Sequence, residues 1–259
     1  MKVIIDSAEK IAAMAAQQYV ALLKRKPNAI LGGATGSTPL GLYAELVRLN
    51  KAGEISFKDA SSFNLDEYVG LDGTHDQSYR YFMDHNLFDH VDIDKDRTRV
   101  PSGIDISDPA AYDKEIQAAG GVDLQLLGIG LSGHIGFNEP LSSFSSRTRA
   151  VNLTPVTMAQ NGPYFDPAKG EKMPNRALTM GVGTVLDAKK LLMLVTGKRK
   201  ADIIAKALEG PMTSMVSGSA IQLHEDCTVI VDEEAAAKLT LKDYYHSAFA
   251  NDPKWAPYR

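Results

Sequence analysis

The chain has 259 residues, of which 44% are hydrophobic and 23% charged, and a formal net charge of −4. This is the make-up of a soluble globular protein able to bury a core without disulfide or metal, and it argues against a nucleic-acid polyanion as the main partner. Cys227 is the one cysteine, which excludes a disulfide framework and any multi-cysteine zinc site and suits a reducing cytosol. The longest strongly apolar run, residues 191–195, is too short to span a bilayer. Asp6 and Glu9 come too early for a signal peptide. The expectation is a single-domain protein over 1–259, cytoplasmic, with no nucleic-acid or membrane partner.

The elements alternate. Ser7 or Asp6 caps a helix running to about residue 24, with Ile11, Ala15, Tyr19 and Leu22 on one face, and Pro27 closes it. Residues 29–31 form a short buried strand. After a loop over 32–37, Thr38 caps and Pro39 opens a second helix. That helix turns Leu40, Tyr43, Leu46 and Val47 inward and ends near Gly53. A strand over 62–65, a helix with an aromatic face over 78–88 and a helix opened by Asp108-Pro109 follow. Residues 122–129 are almost wholly apolar, the mark of a central strand. A strand over 191–196, a helix over 200–208, a strand over 228–231 and a helix over 233–239 complete the series, and residues from about Tyr244 form a surface-packed tail. Residues 141–174 lack a clear period and carry Pro155, Pro163, Pro167 and Pro174, so they read as a lid-like excursion. Strands separated by helices imply parallel pairing with right-handed crossovers. The expected architecture is α/β and Rossmann-like, a mostly parallel sheet with helices on both faces.

In such a sheet ligands bind beyond the carboxyl ends of the strands, and four loops there carry chemistry. Residues 33–39 (GATGSTP) offer small residues and backbone N–H groups at a helix start, which suits a phosphate but equally an ordinary capped turn. The Gly-Lys-Ser/Thr ending of a Walker A loop is missing. Residues 62–68 (SFNLDEY) end a strand on an acidic pair. Neighbours on a strand point to opposite sides, so at most one of Asp66 and Glu67 enters a given pocket. A carboxylate there can abstract a proton beside a carbonyl or imine.

The third loop, residues 128–140 (GIGLSGHIGFNEP), matches G-x-G-x-x-G. A dinucleotide site is nevertheless rejected, because Gly136 and Pro140 interrupt any following helix and no acid lies between residues 140 and 165. What remains is a histidine, His134, with Glu139 five residues on, a pair suited to moving protons near neutrality. In the fourth loop, Lys198, Arg199 and Lys200 crowd a helix start, where the macrodipole disfavours cations and an anionic ligand would relieve the conflict. Metal-site spacings and a Gly-x-Ser-x-Gly elbow are missing from the sequence.

Residues 62–71 (SFNLDEYVGL), 78–83 (SYRYFM) and 128–140, with the loop at 34–39 and residues 177–186 (ALTMGVGTVL), together resemble the glucosamine-6-phosphate deaminase family. That family shares its α/β superfamily with the 6-phosphogluconolactonases. The resemblance spans nearly the whole chain and implies conversion of D-glucosamine 6-phosphate and water to D-fructose 6-phosphate and ammonia, with no cofactor or metal. It makes Asp66 the base that moves the C2 proton to C1, His134 the ring-opening group and Glu139 its helper. It places Gly36, Ser37, Thr38 and Lys200 around the sugar phosphate and Tyr79 near the site. It also implies a small sugar phosphate as partner and leaves a homo-oligomer open, since family members include monomers, dimers and hexamers.

Three positions depart from the family pattern. Ser132 stands at a catalytic position where the family has Asp or Asn, and an uncharged serine supports an imidazolium less well. Pro163 lies in the segment, 161–165, where the family carries a phosphate-gripping arginine. Ser142 and Arg149 match an allosteric anion pocket, but Val151 replaces its lysine, so activation by N-acetylglucosamine 6-phosphate is expected to be weak or absent. An impaired sugar-phosphate-binding paralogue, a lactonase and a deaminase of another amino-sugar phosphate are the alternatives. Retention of Asp66, His134 and Glu139 together favours the active deaminase.

Overall fold

Residues 1–258 are described in the computed structural model. The chain runs β1 (Lys2–Asp6), α1 (Ala8–Arg25), β2 (Ile30–Gly33), α2 (Leu40–Lys51), β3 (Ser61–Asn64), β4 (Asp66–Tyr68), α3 (Tyr79–Asn86), β5 (Thr98–Arg99), α4 (Ala110–Ala119), β6 (Leu124–Leu127), β7 (Arg149–Asn152), α5 (Pro155–Asn161), β8 (Arg176–Thr179), α6 (Val182–Leu186), β9 (Leu191–Val195), α7 (Ala201–Glu209), β10 (Cys227–Asp232) and α8 (Lys242–Asn251). Seven strands form one sheet in the order β1-β10-β9-β6-β2-β3-β5, with every adjacent pair parallel. Its inner strands β9 and β10 are mostly apolar without alternation. LLMLV in β9 and CTVIVD in β10 are buried at every position, as a sheet covered on both faces requires.

The strand order reverses between β2 and β6. From β2 the chain moves outward through β3 to β5, then returns to β6 and moves outward the other way. The loops leaving β2 and β6 therefore diverge and open a crevice at the strand ends. Those are the phosphate-type loop and the His134 loop.

A second sheet of three antiparallel strands, β4-β8-β7, stands at that end. It carries no mark in the residue pattern. β4 has three residues, and β7 is only half-buried, so neither carries a usable period. The excursion over 141–174 is consequently more regular than expected: it holds β7, α5 and two short 3-10 turns. Beneath it Tyr68, Leu71, Phe137, Leu153, Phe165, Met173 and Ala177 form a small core of their own.

Four further expectations are corrected. β1, where only Val3, Ile4 and Ile5 are apolar, is a strand beyond those expected, and it completes the sheet against β10. In α2 the buried face is Leu42, Tyr43, Leu46 and Leu49, while Leu40 is exposed. The Tyr43 hydroxyl, donating to the carbonyl of Ala34 at 2.5 Å, fixes that rotation. Residues 233–239 hold a 3-10 turn, Ala235–Lys238, and not an α-helix. The segment after Tyr244 belongs to α8 and its extension, where Tyr245 and Trp255 are buried and the Lys2 ammonium sits over the Trp255 ring. α2 and α4 also begin one residue beyond the prolines expected to open them. No helix among the described residues is long and apolar enough to cross a membrane.

Candidate active site

A cavity of about 580 Å³ fills the crevice, within the usual range for small-molecule sites. It is lined by Gly36, Ser37 and Thr38 after β2, Asp66 and Tyr79, the loop from Gly128 to Phe137 including His134, and Lys198, Arg199 and Lys200 before α7. All four loops singled out in the sequence thus meet at one place. The excursion contributes Gln160, Asn161 and Tyr164.

Asp66 begins β4, just past the end of β3, and pairs with Thr179 of β8. It is 6% exposed. Among the described residues nothing donates a hydrogen bond to its carboxylate. Burial pushes its carboxyl well above the usual carboxylate range, and the charge of Glu67 adds to this. Glu67 points elsewhere. Its carboxylate accepts from the backbone N–H groups of Tyr68, Tyr79 and Arg80 at 2.8–3.1 Å, closing the N-terminus of α3. Burial outweighs those bonds and raises it to about 7. The two neighbouring acids are therefore divided, one facing the cavity and one serving a helix. Sequence reasoning had no signal for this capping role.

His134 packs its ring over Gly130. A Cβ at that glycine would come within 2.1 Å of Nε2. Its Nδ1 lies 2.7 Å from Ser132 Oγ and 3.2 Å from Glu139 Oε2. Ser132 Oγ also lies 2.9 Å from the same carboxylate oxygen. Burial pushes the Glu139 carboxyl up, but the hydrogen bond and charge of His134 and bonds from the Thr154–Thr157 segment outweigh it and carry it to about 2. An ionised carboxylate only accepts, so Ser132 donates to Glu139 and its oxygen is left to accept from Nδ1–H of His134. Nε2 then carries the lone pair of the neutral ring. Thr154 holds the other oxygen of Glu139 through its N–H and hydroxyl, both at 3.1 Å. The Thr-Pro pair that opens α5 thus braces the acid, a role with no mark in the sequence beyond the helix-start signature itself.

Gly136 joins the two halves. Its φ is +55°, and an added Cβ would come within 2.8 Å of Thr179 Oγ1 and 3.2 Å of Asp66 Oδ2. The Asp66 carboxylate therefore lies against the backbone two residues beyond His134. Tyr79 stacks on Phe137 at 5.8 Å between centroids, and Phe137 lies 6.0 Å from the His134 ring.

At the anion end, the Lys200 ammonium donates to the carbonyl of Ile129 at 2.5 Å. Burial and then the charge of Arg199 lower it to about 8. Pro163 is absent from the cavity wall, while its neighbours Asn161 and Tyr164 are present. Ser142 and Arg149 lie outside this cavity. They line a separate depression of about 320 Å³ with Val151, where Arg149 donates to Ser142 Oγ and to Asn138 Oδ1.

Fold and cavity together define a doubly wound α/β protein whose strand-end cavity combines a buried carboxylate and a histidine with a cationic turn and a small-residue helix start. The family model described as glucosamine-6-phosphate isomerases/6-phosphogluconolactonase matches residues 5–230. A glucosamine-6-phosphate deaminase of Shewanella loihica is 53% identical over 95% of this chain and 92% of its own length. One from Thermoanaerobacter is 46% identical over 94% and 97%. Among solved structures, a monomeric glucosamine-6-phosphate deaminase superposes with a TM-score of 0.88 at 41% identity, covering 92% of this chain and all of that one. A 6-phosphogluconolactonase of Thermotoga maritima, at 17% identity and a TM-score of 0.70 over 89% and 98% of the chains, shares the fold alone. The chain belongs to the glucosamine-6-phosphate isomerase/6-phosphogluconolactonase family.

Proposed function

We propose that this protein is a glucosamine-6-phosphate deaminase, converting D-glucosamine 6-phosphate and water to D-fructose 6-phosphate and ammonia. The observation that carries this reading is the shared cavity: a desolvated carboxylate, Asp66, and an imidazole, His134, stand beside a cationic loop and a small-residue helix start, with Glu139 behind the imidazole at 3.2 Å from Nδ1.

The chemistry follows from those groups. With the phosphate held by the Gly36–Ser37–Thr38 turn and Lys200, the sugar ring lies toward Asp66 and His134. His134 moves a proton between O1 and the ring oxygen through Nε2, and the C1–O5 bond breaks to give the open aldehyde. The imidazolium formed in passing is stabilised by Glu139. Asp66 takes the C2 proton while O1 gains the proton given up by the substrate's ammonium, giving an enolamine, and Asp66 then returns its proton to C1, giving the C2 iminium. Water adds at C2 and the C–N bond breaks, leaving the ketose and ammonia. A carboxyl raised by burial suits this task, since a stronger base takes a carbon-bound proton more readily.

Ser132 does not speak for an impaired binder. Its hydroxyl occupies the space between imidazole and carboxylate and keeps them coupled. The reading places the enzyme in the cytoplasm, which suits the buried free thiol of Cys227.

The test is coupled ammonia release from glucosamine 6-phosphate, run beside galactosamine 6-phosphate and 6-phosphogluconolactone. Turnover is expected with the first. Turnover of the lactone alone, or thermal stabilisation by glucosamine 6-phosphate with no turnover, overturns the reading.

A further inference from the structure

The cavity's anion end holds more positive charge than one lysine needs. Lys198, Arg199 and Lys200 all line it, and among the described residues no carboxylate lies within ion-pair distance of any of the three side chains. Glu234 lines the same wall, but its carboxylate is taken by the backbone N–H of Lys198 at 3.2 Å. The excursion that covers the cavity presents only uncharged groups, Gln160, Asn161 and Tyr164. Any second cation on a bound phosphate must therefore come from below, from the turn before α7.

We infer that Arg199 is the second phosphate-binding cation of this enzyme, gripping the substrate's phosphate from the turn opposite Gly36, Ser37 and Thr38. The inference rests on the proposed deaminase reading for its substrate, although the anion site itself does not.

Two points favour Arg199 over Lys198, although both line the cavity. Arg199 is the neighbour whose charge acts on the Lys200 ammonium, so the two cations share one region of the cavity. Lys200 is tethered to the Ile129 carbonyl, and Lys198 and Arg199 both stay exposed beside it, so exposure does not separate the two and the charge contact with Lys200 and the side chain's chemistry decide. A guanidinium also offers paired N–H groups that match two phosphate oxygens, whereas an ammonium acts as a point charge. Lys198, Arg199 and Lys200 stand together at the positive end of α7, an arrangement that a dianion relieves.

The experiment compares wild type, Arg199→Ala and Arg199→Lys, with Lys206→Ala as a control that removes one positive charge from the exposed side of α7, outside the cavity. KM for glucosamine 6-phosphate is measured with kcat, and inorganic phosphate is titrated separately by thermal shift. Arg199→Ala is expected to raise KM and weaken phosphate binding by a similar factor, on the order of ten- to a hundredfold, with kcat changed far less. Arg199→Lys should recover part of the loss, and Lys206→Ala should leave both readouts within about twofold, the range of a surface charge change. Unchanged KM and phosphate affinity in Arg199→Ala, or equal losses in Lys206→Ala, overturn the assignment. If wild type does not turn over glucosamine 6-phosphate, the deaminase reading falls, while the phosphate titration still decides the role of Arg199.

Discussion

Oγ of Ser132 lies 2.7 Å from Nδ1 of His134. Because the same hydroxyl donates to Glu139, it fixes the ring with its proton on Nδ1 and its lone pair on Nε2. A side chain shorter than the aspartate or asparagine expected by resemblance still completes the chain from imidazole to carboxylate. Ser132→Ala would leave only the longer contact of 3.2 Å between His134 and Glu139. Its kcat is expected to fall about tenfold, the rate equivalent of one hydrogen bond of about 1.4 kcal/mol, with KM little changed. Ser132→Thr, which keeps the hydroxyl, should retain most of the activity. Steady-state kinetics on the two variants decide the matter, and equal rates for wild type and Ser132→Ala would remove the hydroxyl from the account.

Asp66 sets function against stability. Its folded-state pKa is raised by burial and by Glu67, so holding the charge at neutral pH opposes folding. That penalty is absent below the ordinary carboxylate range and grows as pH rises through and beyond it. Asp66→Asn removes the charge while keeping the shape. Its Tm at pH 7 is expected to exceed that of wild type by a few degrees, and the difference should vanish near pH 3. Thermal unfolding of both proteins at the two pH values checks this.

Glu139 behaves in the opposite sense. Its pKa falls from the ordinary 4.5 to about 2 on folding, because the His134 bond and charge outweigh burial. The stability it contributes is fully present above about pH 5 and is lost as pH falls toward 2, up to about 3 kcal/mol in all. Glu139→Gln should therefore be destabilised at pH 7, and its urea midpoint should approach that of wild type as the pH is lowered from 5 to 3.

Lys200 makes substrate binding depend on pH on the alkaline side. At about 8, its ammonium loses a proton as pH rises from 7 to 9, and the neutral amine attracts a phosphate dianion less. KM for glucosamine 6-phosphate should rise through this range. Arg199→Ala, which removes a neighbouring charge holding that pKa down, should move the rise to higher pH. A KM flat from pH 7 to 9 in wild type would separate Lys200 from the phosphate.

Much of this was legible in the chain itself, for identifiable reasons. Parallel central strands are continuous apolar runs, so residues 191–195 and 122–129 announced the sheet, and ligand loops follow such strands, which pointed to Gly36, His134 and Lys200. The small sheet was not legible. β4 and β8 pair Tyr68 with Ala177, more than a hundred residues apart in sequence, and three-residue DEY carries no period. The division of labour between Asp66 and Glu67 was open too. Alternation says that neighbours diverge, but only the arrival of α3 beside Glu67 decides which acid faces the cavity.

The most direct measurement follows deuterium at C2 of glucosamine 6-phosphate. Wild type should remove it, with loss to solvent or transfer to C1 of the product seen by NMR, while folded Asp66→Asn should leave it in place by at least a thousandfold in rate, near the upper end of what a positioned base contributes. Removal of the C2 deuterium by Asp66→Asn at a rate near that of wild type would contradict the assignment of Asp66 and, with it, the account of the cavity.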